Sequence, residues 1–465
     1  MFRGLKWYQS SEYALLMFMT VAMPLHWRLG LWGLILLCAN TVAKTIASHH
    51  IGNPDISHPI RICLGLMILY FILQIISIAY SNQTTEAIST VTTMLPLLLF
   101  PMLFLISDTH YLSRRHLSCL SYLLAAILTL RFIVMLIRSH IHHLDSQLFA
   151  DTTNIFATFL IQTASWFSHI SPFPQLNNQI AIQPILAVAH LFNNTPFEHL
   201  PTFVFDPLHH NYLSLYILTA IALLYSELVH HWRSPRWHFT RWFVILDIAL
   251  LSLYILLNGS RSGMVAWVLL ATACLAHLTF CRKRWCTVGI ILATTTLIIG
   301  LSYWASPKTF NHITSTTHNI QRGDKGDIRQ TMWQSGIDVA KEHPLFGYGC
   351  DGYWDVLFQQ YRAHDCHSAN VNQFSTHNQY LETTLSTGLV GLCILLAMLL
   401  TPVMLASRRP SRNLPMFLFT VAYAPCLFFE TTFGRQMGIL FIGFWYCLLL
   451  LYSRPQLQPS SYLPQ

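Results

Sequence analysis

Continuously apolar stretches close to the ~20 residues a helix needs to cross a bilayer recur along nearly the whole of this 465-residue chain. That feature removes most folds from consideration. A transmembrane β-barrel would alternate apolar and polar residues, and these segments do not alternate. Charge usage agrees, since 10% of the residues are charged where a soluble protein carries about a quarter. The expected fold is an all-α polytopic membrane protein. Its spans are placed near residues 12–27, 29–47, 62–80, 88–106, 117–137, 210–228, 241–257, 262–280, 286–304, 384–405, 414–430 and 436–452, about 12 transmembrane helices in all. The first is short and interrupted by Pro24. With Arg3 and Lys6 ahead of it and no small-residue cleavage site, it reads as a retained helix, not a signal peptide.

Lysine and arginine placement then sets an expected orientation. With both termini inside, sixteen basic residues from Arg3 to Arg454 fall on the inner side, and Arg28, Arg261 and Arg435 on the short outer loops. The formal charge of +8 reflects that asymmetry and requires no nucleic-acid partner. The chain thus divides into helices 1–5 (1–137), a first outer loop (138–209), helices 6–9 (210–304), a larger outer loop (305–383), helices 10–12 (384–452) and an inner tail (453–465). The first loop holds apolar pieces such as NIFATFLIQTASWF, suited to the membrane surface.

The second outer loop carries most of the chemistry. A helix is expected over Ile328 to Glu342, capped by Asp327 and stopped at His343-Pro344. Ile328, Met332 and Val339 give it an apolar face that Trp333, Ile337 and Ala340 widen. Arg329 falls in its first turn, where the dipole disfavours a cation. Either an anion shares that place, or Arg329 pairs with Asp327 or Asp324 at the surface. HPLFGYG follows as a two-glycine turn, and Tyr353 to Tyr361 as a short amphipathic helix.

Thr376-His377-Asn378-Gln379 then matches a capping box, with Thr376 as N-cap. His377 would open the tenth span at the outer interface, either as a general base or as an ordinary interfacial histidine. His364 and His367 lie near enough in sequence to compete for the role. Cys350 and Cys366 are a disulfide candidate, since both fall in an outer loop. The other nine cysteines sit in or beside spans as small apolar residues. Histidines occur as adjacent pairs without HExxH or Cys-x-x-Cys, so no metal and no cofactor are expected. Arg261, Arg435 and the intramembrane Arg131 are further candidates, whereas Asp247 reads as a structural hydrogen-bonding group.

NGSRSG at the start of a span, DIRQTMW before HPLFGYG, and THNQYLETTLSTGLVG running into the next span resemble the O-antigen ligase superfamily. The likeness covers roughly residues 205–400 at motif level. It implies metal-independent, inverting glycosyl transfer on the periplasmic face of a bacterial inner membrane. The donor would be an undecaprenyl-pyrophosphate-linked glycan and the acceptor, in a ligase, a sugar hydroxyl of lipid A core. Carried over by motif, His377 would activate the acceptor, and Arg261 and Arg329 would hold the pyrophosphate. Arg435, Arg131, Tyr380 and Trp333 are the candidate substrate contacts. An O-antigen polymerase of the same superfamily is the alternative. A transporter is more remote, since it would show repeats and broken helices at the midplane.

Overall fold

The computed structural model describes residues 2–48, 52–53, 56–145, 208–232, 234, 238–258, 260–283, 289, 328–408 and 410–452. The ninth expected span, most of the first outer loop, the stretch before Ile328 with Asp324 and Asp327, and the tail lie outside the described residues. Among the described residues the regular elements are all helical. They are α1 (Phe2–Leu25), α2 (Trp27–Ser48), α3 (His58–Ile78), α4 (Thr84–Thr93), α5 (Pro96–Ile106), α6 (Arg114–Asp145), α7 (His210–His231), α8 (His238–Leu257), α9 (Arg261–Ala276), α10 (Ile328–Glu342), α11 (Trp354–Ala363), α12 (His367–Val371), α13 (Gln379–Arg408), α14 (Pro410–Phe429) and α15 (Gln436–Tyr452).

Seven helices are long and apolar enough to cross a membrane, or eight if α4 and α5 form one span, against twelve expected over the whole chain. The fourth expected span is broken by a 40° bend. Pro96 has no N–H to continue the ladder, and the Met94 N–H turns back to the Thr90 and Val91 carbonyls, at 3.1 and 3.0 Å. The last two expected spans, at α14 and α15, are shorter apolar helices.

α7 and α15 form the centre. α7 is buried on all sides from Asn211 to Glu227, and α15 from Gly438 to Leu451. A helix apolar all round must be surrounded. Tyr216 of α7 stacks on Phe441 of α15 with centroids 3.9 Å apart, and its hydroxyl donates to the Met437 carbonyl at 2.7 Å. Lipid tails are as apolar as these side chains, so close van der Waals fit holds such helices together. Several polar groups inside are paired. Thr129 donates to Asp247 at 2.5 Å, the structural bond expected of that carboxylate. Arg131, the candidate substrate contact inside a span, is held by protein. It is buried, and its Nη1 donates to the Pro24 carbonyl at 2.5 Å, satisfying one of the acceptors a helix C-terminus leaves open.

The segment from His343 to Gly349 is locked onto the spans through backbone. α13 breaks at Gly388 (φ 65°, ψ −162°), and the HPLFGYG turn fills the break. The N–H groups of Tyr348 and Gly349 donate to the Leu385 and Ser386 carbonyls at 2.8 and 2.9 Å. In return, the Leu389 N–H donates to the Pro344 carbonyl at 2.8 Å. A freed backbone at membrane depth is tolerated where protein re-satisfies it. A Cβ on Gly388 would stand 2.1 Å from the Leu345 oxygen, and one on Gly347 2.5 Å from the Leu385 oxygen. Glycine is therefore required on both sides of this joint.

α10 spans the expected residues. Its apolar face is narrower than its sequence implies, because Met332 and Val339 are buried while Ile328 and Ile337 are exposed. The disulfide reading is corrected too. Cys350 and Cys366 are free thiols. Cys350 packs against the α3–α4 region, with its N–H donating to Ser77 Oγ at 3.0 Å, whereas Cys366 lies in a separate cluster with Met332, Val339 and Leu357.

Candidate active site

The start of α13 is set by two competing caps two residues apart. Asn378, not Thr376, is the N-cap: its Oδ1 accepts from the N–H groups of Tyr380 and Leu381 at 3.0 and 3.1 Å, the N2 and N3 donors a cap serves. Thr376 is otherwise engaged, donating to Glu382 Oε2 at 2.8 Å. His377 consequently sits just before the helix and not in its first turn, with a left-handed φ of 48°. For a non-glycine residue that conformation is uncommon and is held by its surroundings.

Those surroundings are well defined. His377 Nδ1 lies 3.4 Å from Glu430 Oε1, in the turn between α14 and α15. Asn211 Nδ2 donates to Glu430 Oε2 at 2.6 Å. Asn211 Oδ1 in turn accepts from the hydroxyls of both Ser260 and Ser262, each at 2.8 Å. Ser260 is also the N-cap of α9, accepting from the Gly263 N–H at 3.1 Å. The NGSRSG motif is thereby tied to the histidine through one asparagine and one glutamate, with Arg261 as the first residue of α9 between the two serines.

Burial pushes the Glu430 carboxyl up, but hydrogen bonds from His377 and Asn211 and the nearby imidazole charges outweigh it, leaving the group below its ordinary value. Glu430 is thus held ionised. With that carboxylate on Nδ1, a neutral imidazole keeps its hydrogen there and presents Nε2 as an acceptor. Nε2 has no partner among the described residues, and the ring lines a cavity of about 440 Å³.

Arg435, Thr431 and Gly434 line the same cavity. Arg329 does not line it, but its charge reaches His209, where burial lowers the imidazole, Glu430 opposes, and His377, Arg435 and Arg329 lower it further. Arg329 and Arg435 therefore share one neighbourhood with His377. Trp333 and Tyr380 act from behind it. Trp333 Nε1 donates to the Thr376 carbonyl at 3.0 Å and its ring meets Phe428 edge-on, while the Tyr380 hydroxyl donates to the Ala424 carbonyl at 2.9 Å. Neither lines the cavity, and both brace the segment around the histidine. His364 is engaged with Asp338 at 3.1 Å and His367 heads α12, and neither lines the cavity. Among the described residues no three His, Cys, Asp or Glu side chains are grouped as metal ligands would be.

Sequence reasoning missed Glu430 and Asn211. Glu430 did carry a signal, being an ionisable residue at the end of an apolar span.

The O-antigen ligase family model matches residues 247–396, which contain Arg261, Arg329 and His377 but neither Asn211 nor Glu430. An uncharacterized protein of Haemophilus influenzae is 29% identical over 154 residues, covering 32% of this chain and 39% of that protein. The exopolysaccharide production protein ExoQ of Rhizobium meliloti is 35% identical over 75 residues, covering 16% of this chain and 17% of its own. The alignments thus span well under half of either relative. The region over which this chain is similar to the O-antigen ligase family supplies the histidine, the HPLFGYG joint and the break in helix α13.

Proposed function

We propose that the protein is a membrane glycosyltransferase acting on the periplasmic face of the inner membrane, and specifically an O-antigen ligase. It would move a glycan from undecaprenyl pyrophosphate to a sugar hydroxyl of lipid A core. The observation that carries this reading is His377, whose Nδ1 is against an ionised Glu430 while its Nε2 side faces a cavity that Arg435 also lines.

The chemistry follows from those groups. Nε2 takes the proton of the acceptor hydroxyl as its oxygen attacks the anomeric carbon. The carbon–oxygen bond to pyrophosphate breaks, undecaprenyl pyrophosphate leaves with the electron pair, and the configuration inverts. Glu430 stabilises the imidazolium formed. Arg435 and Arg329, with Arg261 at the α9 start, supply guanidinium forks that match phosphate oxygens, and neutralising the departing charge carries much of the catalysis. The likeness to an exopolysaccharide production protein favours a second reading, polymerisation, with the same donor and a lipid-linked acceptor.

A surface-glycan gel of a deletion strain, with assay of undecaprenyl-linked glycans, separates them. A ligase deletion leaves lipid A core bare while long chains accumulate on undecaprenyl pyrophosphate. A polymerase deletion leaves core bearing a single repeat unit. Unchanged glycans, in a strain with no second enzyme, overturn both.

A further inference from the structure

The cavity beside His377 is also lined by acidic groups that the transfer chemistry does not use. Asp351 is buried, and its Oδ1 accepts from Trp354 Nε1 at 2.9 Å. Glu382 accepts from the Tyr353 hydroxyl through one oxygen and from Thr376 Oγ1, at 2.8 Å, through the other. Both carboxylates line the cavity, and neither makes an ion pair among the described residues. Asp351 has a left-handed φ of 56°, a conformation that aspartate adopts more readily than most residues.

A second, independent observation points to a ligand. Gln74 of α3 lines the same cavity, is 1% exposed, and has an Oε1 with no hydrogen-bond partner. An orphaned buried carbonyl oxygen costs about 1–3 kcal/mol, and natural proteins keep such groups where something arrives to satisfy them. Tyr353 and Trp354 add aromatic surface, with ring centroids 5.1 Å apart.

The chemistry of the occupant can be read from these groups. They are acceptors: two carboxylates and an amide oxygen. Phosphate is repelled. A metal ion would need more ligands than two carboxylates that already take protein donors. Several hydroxyl donors on a compact ring with an apolar face meet every requirement, because hydroxyls donate to carboxylates and C–H faces lie on aromatic rings. We infer that Asp351, Glu382 and Gln74 form a subsite for a sugar ring within the cavity that His377 and Arg435 also line. This rests on the glycosyl-transfer reading only for the identity of the sugar, which is either the first residue of the donor glycan or the acceptor's terminal residue.

Binding is measurable without turnover, so its failure and that of the transfer reading are separable. Full-length protein in nanodiscs is examined by saturation-transfer NMR with the methyl glycosides of glucose, galactose and N-acetylglucosamine, and separately with inorganic pyrophosphate. At least one glycoside should show transfer at millimolar concentration, reduced fivefold or more by Asp351→Asn, with pyrophosphate binding unchanged. Arg435→Ala should give the reverse pattern. Gln74→Met guards against misfolding, since it removes the orphaned oxygen and should weaken the glycoside signal without lowering thermal stability. No transfer to any glycoside, or a signal that survives both Asp351→Asn and Gln74→Met, overturns the subsite, as does calcium binding that displaces the glycoside. In a transfer assay, a raised KM for acceptor alone assigns the subsite to the acceptor sugar, and a raised KM for donor alone assigns it to the donor. Unchanged KM for both overturns it.

Discussion

Two buried polar networks tie the helices of this protein together, and they differ in what they leave unused. In one, Lys44 of α2 donates to Glu12 Oε2 at 2.7 Å, Ser107 Oγ at 2.9 Å and the Asp108 carbonyl at 2.5 Å. That accounts for all three ammonium hydrogens, and the side chains of Lys44 and Glu12 are 4% and 2% exposed. In the other, His377, Glu430, Asn211, Ser260 and Ser262 form a chain of similar extent, but the histidine is 30% exposed and lines a cavity. The first network is closed and can only hold helices together. The second has valence left over at a place a substrate can enter. Burial of charge does not distinguish structure from function here; unspent hydrogen-bonding capacity beside open space does.

The sharpest way to break that contrast is to remove one member of each network. His377→Ala should lower glycan transfer by about 10²–10⁴-fold, the usual worth of a general base, with thermal stability close to wild type. Initial transfer rates of purified protein in liposomes check it. A normal rate for this variant would return the histidine to an ordinary interfacial role. Lys44→Met should do the opposite. It leaves Glu12 buried and unpaired, a change that costs about 3–5 kcal/mol, so thermal unfolding in detergent shifts strongly downward while transfer per folded molecule is preserved. Replacing Glu12 and Lys44 together by leucine should recover most of that loss, because the pair's desolvation cost disappears with it.

A smaller effect belongs to the joint that places the second network. Gly388→Ala puts a side chain in a backbone region that is essentially glycine-only, at a cost of about 1–3 kcal/mol. It also drives a Cβ to within 2.1 Å of the Leu345 oxygen. The HPLFGYG turn should undock from α13, made visible by faster proteolysis around residues 344–349, with reduced transfer as a consequence. Unchanged protease resistance would mean that the break in α13 can be re-formed without that glycine.

These sites were unequally legible in the sequence. α10 was placed from local signals alone, a charged start and the His343-Pro344 stop, because such signals act within a few residues. The position of His377 at the entry to a span was legible for the same reason. Its exact setting was not, because Thr376 and Asn378 are both good caps and the choice depends on Glu382 claiming the threonine hydroxyl. Asn211 and Glu430 are 219 positions apart, and no periodicity connects them. The pairing exists because α7 and α15 are the two helices buried on all sides, which brings the start of one beside the turn before the other. Apolar length was legible in the same local way, but whether Pro96 bends a span was decided by packing.

The subtlest test of the contrast uses pH. Glu430 sits below its ordinary value of 4.5, since its hydrogen bonds from His377 and Asn211 outweigh the penalty of burial. A carboxyl depressed in the folded state contributes stability that is fully present above the unfolded value and is lost as pH falls through the folded one. Glu430→Gln keeps the shape and an acceptor for Asn211 but removes the charge. The difference in melting temperature between wild type and Glu430→Gln should therefore be flat from pH 7 down to about 5. It should then shrink as pH drops below 4.5. The groups facing Glu430 include His377, Asn211, His209, His210 and Tyr212, and all of them are present in both proteins, so they enter the comparison only through their coupling to this carboxylate. A gap that persists unchanged at low pH would assign the Glu430 contribution to packing and neutral hydrogen bonds. The outer network would then resemble the closed Lys44 network more than its exposure suggests, and the case for an ionised partner behind the base would fall with it.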